Sequence, residues 1–250
     1  KEDYNIKSKN FINAFFNIIN INNENEELKK EQNFAINLIP NLINELVEKN
    51  NLKLLKQLKN YIKNINFSEF NNKNPLHISA RDGNLNLVKF FLKLRIGIND
   101  MDDYKLTPLN YACKNGKKDV AFFLKEKGGI LNYTNELSSE FCNYGKNGDL
   151  SALKIYYECG ANLNIEDFNK RTVAHIAAAE GHTDIIKYLV EETNVNILSS
   201  DKWGNTPYSE AKNQEIRDII KNKYKSCKIK LTFIFFLFFN FYFFLFLFVS

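Results

Sequence analysis

Residues 171–182 read Arg-Thr-Val-Ala-His-Ile-Ala-Ala-Ala-Glu-Gly-His, and this stretch decides the fold. Its threonine opens a short helix, its alanines leave one helix face small, and its glycine allows a sharp turn into a second helix. Three further segments align with it: Asn74-Pro75-Leu76-His77, Thr107-Pro108-Leu109-Asn110 and Thr206-Pro207-Tyr208-Ser209. Proline at the first helical position sacrifices no hydrogen bond, so each segment predicts the start of a helix.

The repeat has a fixed period. Gly83, Gly116, Gly148 and Gly181 follow one another at steps of 33, 32 and 33 residues. Apolar residues lie four, five, eight and nine positions after the glycine, as one helical stripe requires; the clearest examples are Leu87, Val88, Phe91 and Leu92, and Ile185, Ile186, Leu189 and Val190. Period and pattern resemble the ankyrin repeat, which implies an all-α ankyrin-repeat solenoid of about six helix-turn-helix units.

We place the repeats at residues 42–67, 71–100, 102–132, 136–165, 167–199 and 201–224, and number them one to six. Repeat one has Asn50 where glycine is expected, and repeat six has lost its turn, as terminal caps with a single neighbour can. The chain then divides into an N-terminal helix or linker (1–36), an ankyrin repeat domain (37–224) and a basic segment with a hydrophobic tail (225–250).

The order of the pieces adds a second resemblance. One block ends in the stretch 119–131, a Glu136-Leu137 linker follows, and another block opens with the stretch 141–150. This arrangement resembles the C-terminal ankyrin region of the cytosolic type I L-asparaginases. Residues 177–182 together with 201–207 also resemble the ankyrin tail of the glutaminases. Both families carry their amidohydrolase chemistry upstream of the repeats, so the resemblance transfers no catalytic residue to this chain.

The residues that could carry chemistry have structural explanations. His77 and His175 occupy the fourth position of the helix start, where an imidazole can hydrogen-bond the neighbouring turn. The motif from Ser151 to Lys154 matches the S-x-x-K of serine amidases, but it includes a core leucine. The chain has four cysteines, Cys113, Cys142, Cys159 and Cys227. They form no C-x-x-C pair, and we predict that they are reduced thiols. We predict no catalytic residue, no cofactor and no metal site.

Ankyrin stacks bind partners with the tips of the turns between repeats, called fingers here, and with inward positions of the first helices. The predicted protein-binding surface consists of the tip residues Phe70, Asp103, Tyr104, Phe168, Asn169, Lys202 and Trp203 and the first-helix residues Tyr111, Lys114, Lys146 and Glu180. Aromatic residues among charges are typical of interface hot spots. The alternative is that Phe168 and Trp203 merely pack between adjacent fingers.

Two fingers depart from the family pattern. Lys105 and Lys170 stand where glycine is usual. A lysine adopts the left-handed backbone conformation only at some energetic cost, so we expect these finger tips to be distorted.

The net charge of +5 is concentrated near the C-terminus. Residues 212–230 contain seven lysines and arginines against two carboxylates, and the rest of the chain balances. This balance gives no support for nucleic-acid binding. The segment Leu231–Ser250 follows, without charge and with ten phenylalanines. As a helix it would span about 30 Å, the thickness of a bilayer core. It is either a membrane anchor that leaves the repeats in the cytoplasm or the translation of a T-rich non-coding stretch.

Three functions therefore remain open at this point. The chain is a non-catalytic protein–protein interaction module, the regulatory or assembly region of an L-asparaginase-like or glutaminase-like amidohydrolase without its catalytic domain, or a tail-anchored membrane adaptor. The sequence opens at Lys1 and not at a methionine, so we expect an upstream portion. In each case the expected partner is another protein, while its identity and the oligomeric state stay open.

Overall fold

A computed structural model describes residues 41–62 and 72–225. Within these two ranges the chain forms helices and no strand, which confirms the predicted all-α class. The N-terminal segment 1–36, the finger residue Phe70 and the apolar segment Leu231–Ser250 lie outside the described residues. The chain divides into two compact units, unit 1 at 1–132 and unit 2 at 133–250.

Unit 1 contains repeats one to three. Its helices are residues 41–48, Leu52–Gln57 and Lys59–Ile62, then Pro75–Asp82 and Leu85–Lys93, then Pro108–Lys114 and Lys118–Glu126. The stripe predicted for repeat two is buried at Leu87, Val88 and Phe91, and Leu92 is half-buried. Asn50, which replaces glycine in repeat one, has a positive φ of 52°, as asparagine tolerates better than most residues. The predicted turn is therefore present despite the missing glycine.

Unit 2 contains repeats four to six. Its helices are Asn135–Asn147 and Leu150–Glu158, then Val173–Glu180 and Thr183–Glu191, then Pro207–Glu210 and residues 214–225. The prediction of a linker at Glu136-Leu137 is wrong, since both residues belong to the first turn of the long helix and Leu137 is buried. Repeat six has lost its left-handed turn as predicted, because Ala211 has φ −58° and ψ 123°.

The first helices of repeats two, three and six begin at side-chain caps. The side-chain oxygen of Asn74 accepts hydrogen bonds from the backbone N–H groups of Leu76 and His77, at 3.0 and 3.3 Å. Thr107 and Thr206 accept from the third helical residue in the same way. These caps satisfy N–H groups that have no partner within the helix, and they fix where these three repeats start.

Small residues let neighbouring first helices approach closely. A Cβ atom added to Gly145 would lie 3.0 Å from Cγ2 of Val173 on the next first helix. Ala177 and Ala178 are fully buried. Protein interiors are close-packed, so larger side chains at Gly145, Ala177 or Ala178 would not fit. These small residues therefore allow the repeats of unit 2 to pack together.

None of the helices within residues 41–62 and 72–225 is long and apolar enough to cross a membrane. That Leu231–Ser250 anchors the chain therefore stays a prediction.

Candidate protein-binding fingers

Three of the described fingers, at residues 102–106, 167–171 and 201–205, are each closed by one aspartate, whereas the turn at 130–135 contains none. The carboxylate oxygen Oδ1 of Asp201 accepts the backbone N–H groups of Trp203 and Asn205, at 2.9 and 2.8 Å. Asp102 and Asp167 accept from residues two and four positions further on in the same way, at 2.8 to 3.0 Å. Burial alone would raise the pKa of Asp201, but the N–H groups of Asn205 and Trp203 outweigh it and lower the pKa. The finger therefore folds around an ionised carboxylate.

The two lysines that replace glycine do not distort the fingers. Lys105 and Lys170 have positive φ angles of 61° and 59°. Their N–H groups donate to the carbonyls of Asp102 and Asp167, both at 2.9 Å, as Gly204 donates to Asp201 at 3.1 Å. The expectation of distorted tips is wrong, because the aspartate bonds hold the turn and compensate the cost of the left-handed conformation.

The two fingers of unit 2 bring Phe168, Lys202 and Trp203 together. Phe168 has 88% of its surface exposed and Trp203 has 63%. The ammonium nitrogen of Lys202 lies 4.3 Å from the centre of the Trp203 ring and 5.7 Å from that of Phe168. A cation at these distances is attracted to the electron-rich faces of both rings. The three side chains form one cluster, called the aromatic cluster below, on two neighbouring fingers.

Asn169 joins these two fingers through the backbone. Its carbonyl oxygen accepts the N–H of Lys202 at 2.9 Å. Its side-chain oxygen is buried and has no hydrogen-bond partner among the protein atoms. Beside it, Arg171 forms an ion pair with Glu210 at 3.0 Å. The aromatic cluster therefore rests on a fixed base.

The finger of unit 1 presents fewer of its predicted residues. Tyr104 is 57% exposed, and Asp103 accepts a hydrogen bond from Asn72 at 2.7 Å. Tyr111 is only 8% exposed, and its hydroxyl donates to Asp102 Oδ2 at 2.6 Å. Burial and this hydrogen bond raise the pKa of Tyr111. Tyr111 thus supports the finger from below, while Tyr104 stands at its tip.

The remaining first-helix positions are exposed. Lys114, Lys146 and Glu180 all point into solvent near the ends of their helices. Lys146 and Glu180 also have backbone oxygens engaged by the next repeat: His182 Nε2 lies 2.9 Å from the first, and Lys212 Nζ donates to the second at 3.2 Å. These side chains remain predicted binding positions.

The histidines act as struts between repeats, as predicted. His77 Nε2 lies 3.0 and 3.1 Å from the carbonyl oxygens of Asp100 and Leu106, and His175 Nε2 lies 3.2 Å from that of Asn205. Burial raises the pKa of the Cys142 thiol to about 11. Among the described residues, no group of three or more His, Cys, Asp or Glu side chains is arranged to hold a metal ion.

The sequence reasoning named the tips but assigned no role to the aspartates that build them. Asp102, Asp167 and Asp201 each immediately precede the two tip residues. An aspartate side chain that accepts the backbone N–H group two residues further on forms an Asx-turn, which is a common turn motif. This common position was the signal that could have identified them.

Successive helix pairs that stack on their neighbours through small residues define the class of helical repeat proteins. The particular family follows from the sequence: a family model described as "Ankyrin repeats (3 copies)" matches residues 43–135 and 141–230. The chain belongs to the ankyrin repeat family.

Two relatives with the names of enzymes match the chain over part of their own length. The chain is 24% identical over 184 residues to an L-asparaginase of Dirofilaria immitis, a match that covers 73% of this chain and 31% of the relative. It is 33% identical over 97 residues to the mitochondrial liver isoform of glutaminase from Rattus norvegicus, covering 39% of this chain and 16% of that protein. Both predicted resemblances are confirmed, and the chain spans less than a third of either relative.

A solved structure agrees on the fold. The human ASB11 ankyrin repeat domain has a TM-score of 0.54 and 22% sequence identity, and the match covers 72% of this chain and 82% of that one. At this identity the likeness concerns the fold alone.

Proposed function

We propose that the chain is a non-catalytic protein-interaction module whose principal contact is the aromatic cluster of Phe168, Lys202 and Trp203. The observation that carries the proposal is the exposure of Phe168 and Trp203, at 88% and 63%, on neighbouring fingers. A partner that covers these rings would remove apolar surface from water, which favours formation of a complex.

The base of the cluster adds to this argument. The carboxylates of Asp167 and Asp201 each accept two backbone N–H groups, so the fingers are ordered before a partner arrives. A preformed site loses less conformational entropy on binding than a mobile loop does. The ammonium group of Lys202 over two rings gives the site a positive charge with a fixed position.

Site-specific photocrosslinking tests the proposal. A photoreactive phenylalanine analogue replaces Phe168 in one variant and Trp203 in another, and a third variant carries it at Tyr224, which is 52% exposed on the last helix. After irradiation in a lysate of the source cells, we expect the same protein to be linked from both finger positions and not from Tyr224. Linkage that is equal at all three positions, or none at the fingers, contradicts the proposal.

A pair of alanine variants provides the energetic control. Phe168→Ala and Trp203→Ala should each weaken the captured complex about tenfold or more, as hot-spot truncations do, whereas Tyr224→Ala should not. Melting temperatures measured alongside separate lost binding from lost folding. Loss of stability with retained binding would show that the aromatic cluster is structural.

We propose as a second candidate that this interaction module serves as the assembly or regulatory region of an L-asparaginase-like amidohydrolase. The match to the L-asparaginase of Dirofilaria immitis extends over 73% of this chain and supports it. Sequencing the transcript upstream of Lys1 tests this candidate. A reading frame that continues into a catalytic domain is expected, and an in-frame stop directly upstream would rule it out.

A further inference from the structure

The second helices of unit 1 carry a large excess of positive charge. The helices Leu52–Gln57, Lys59–Ile62, Leu85–Lys93 and Lys118–Glu126 together contain seven lysines and only two carboxylates, Asp119 and Glu126. The second helices of unit 2, Leu150–Glu158, Thr183–Glu191 and 214–225, contain six basic and five acidic residues. The near-neutral charge balance of the repeats therefore hides a strong local asymmetry.

The basic residues of unit 1 form a continuous surface across repeats two and three. Lys89 Nζ lies 5.3 Å from the centre of the Phe123 ring, which belongs to the second helix of the next repeat. Lys127 Nζ lies 5.6 Å from the same ring, and Lys118 Nζ lies 5.2 Å from that of Phe122. The exposed residues Lys89, Lys93, Lys118, Lys125 and Lys127 are called the lysine face below.

Two features of this surface favour a carboxylate-bearing partner over a nucleic acid. Lysine is a hydrated point charge, whereas the planar guanidinium of arginine is preferred for phosphate and nucleic-acid recognition. Five of the six exposed basic residues within 85–95 and 117–127 are lysines, and Arg95 is the exception. The Phe122 and Phe123 rings are half-buried and face ammonium groups, so they do not form open platforms for stacking bases.

A membrane surface fits less well. Among the described residues of unit 1, the large apolar side chains with substantial exposure are Met101, Tyr104 and Ile130, and all three lie outside the helices. The second helices thus offer no protruding apolar side chain to enter the lipid interface, as membrane-surface helices do.

We propose that the lysine face is a second interaction surface, which binds an acidic polypeptide segment of a protein partner. Its ammonium groups supply a positive potential over two adjacent helices, and the carboxylates of an extended acidic segment complement it. Aromatic contacts restrain Lys89, Lys118 and Lys127, so three charges are held in place before binding. This surface shares no residue with the aromatic cluster, and neither proposal depends on the other.

Charge reversal in the whole chain tests the proposal. One triple variant carries Lys89→Glu, Lys93→Glu and Lys125→Glu. The matched control carries Lys154→Glu, Lys221→Glu and Lys225→Glu, since Lys154 Nζ also lies over an aromatic ring, 5.0 Å from the centre of Tyr188, and the other two are exposed. Both variants change the net charge equally. The probe is a fluorescent peptide of alternating glutamate and serine, about twenty residues long, whose binding is followed by anisotropy at low and physiological salt.

We expect the lysine-face variant to weaken peptide binding about tenfold or more and the control to weaken it less than about threefold. Circular dichroism must show both variants folded; if the face variant is not, the triple Lys→Gln variant replaces it and should show a smaller loss of the same sign. Equal weakening in both triples, or none in either, overturns the proposal. So does tighter binding of phosphatidylserine vesicles or of an oligonucleotide that depends on the same lysines.

The two proposals fail separately. Phe168→Ala and Trp203→Ala should leave peptide binding unchanged, because both residues belong to unit 2 and carry no charge. If these variants abolish peptide binding, the peptide occupies the fingers and the lysine face is not its site.

Discussion

The imidazole Nε2 of His77 lies 3.0 Å from the backbone oxygen of Asp100, a residue 23 positions further along the chain. The other ring nitrogen lies 3.2 Å from the backbone nitrogen of Asn74, which donates to it. A neutral imidazole with its proton on Nε2 satisfies both contacts. Nδ1 also lies 2.9 Å from the side-chain oxygen of Asn74, so the contacts alone do not decide the charge state. Burial disfavours the doubly protonated, charged ring and lowers the pKa of His77 from 6.5.

This geometry predicts a pH dependence of stability. Below pH 6.5 the unfolded chain takes up a proton on His77 that the folded chain resists, so the free energy of unfolding should fall as the pH drops through this range. Above pH 6.5 the stabilisation is fully present. Urea unfolding on either side of this pH measures the effect.

The matched variant is His77→Asn, because Asn110 occupies the equivalent position in repeat three. Asn110 Nδ2 donates to the carbonyl of Asn132 at 3.0 Å, and its side-chain oxygen accepts the N–H of Thr107 at 3.2 Å. We expect His77→Asn to fold and to lose part of the acid sensitivity. An unchanged dependence on pH would show that other groups cause it.

The joint between repeats four and five should not tolerate extra volume. Ala178 is fully buried on the first helix of repeat five. Ala178→Leu should lower the free energy of unfolding by about 1–3 kcal/mol, because a well-packed interior must deform to hold the added carbons. Thermal or urea unfolding measures this, with Ala179→Leu as control, since Ala179 is only half-buried. Equal losses of stability in the two variants would show that the Ala178 side chain does not lie in a tightly packed joint.

Two glycines with the same backbone conformation should differ in their response to alanine. Gly116 and Gly148 have φ of 64° and 75°, but only at Gly148 would a Cβ meet a neighbour, at 2.8 Å from the His182 ring. Gly116→Ala should cost about 1 kcal/mol from backbone strain alone. Gly148→Ala should cost at least about 1 kcal/mol more, from the contact with His182.

A double mutant separates the two contributions. Combining Gly148→Ala with His182→Ala should recover part of the loss, because the clash disappears while the strain stays. Strict additivity in urea unfolding would show that His182 yields without cost.

Two phenylalanines of unit 2 should behave in opposite ways. Phe141 is fully buried, and Phe141→Ala should lower the free energy of unfolding by about 3–5 kcal/mol. Phe168 is 88% exposed, and Phe168→Ala should change it by less than about 0.5 kcal/mol. Chemical denaturation distinguishes these outcomes. A large loss at Phe168 would mean that it packs between fingers, which is the alternative left open by the sequence.

The purified chain should hydrolyse neither asparagine nor glutamine. The similarity to L-asparaginase and glutaminase covers 31% and 16% of those proteins. Ammonia release is measured against a heat-inactivated sample. Ammonia release above that background would contradict the assignment of a non-catalytic module.

Local features could be read from the sequence because they depend on residues close together in the chain. A threonine or asparagine before proline caps a helix through its own side chain, and glycine or asparagine ends one by adopting positive φ, as Asn50 does with φ 52°. The prediction that the tips at Lys105 and Lys170 are distorted was wrong, because the side chain of an aspartate three positions earlier stabilises each turn.

Other features were decided only where packing brings distant residues together. Tyr111 and Tyr104 look equally suited to a binding surface in the sequence, yet Tyr111 is buried against Asp102 and Tyr104 is exposed. The charges of the repeats nearly cancel when they are counted along the sequence. In the fold, lysines from repeats two and three lie on one surface. The sequence by itself determined the repeat, its period and its turns, since backbone preferences act locally. The tertiary structure decided which side chains face water and which charges lie side by side, because both depend on the neighbouring repeat against which each helix packs.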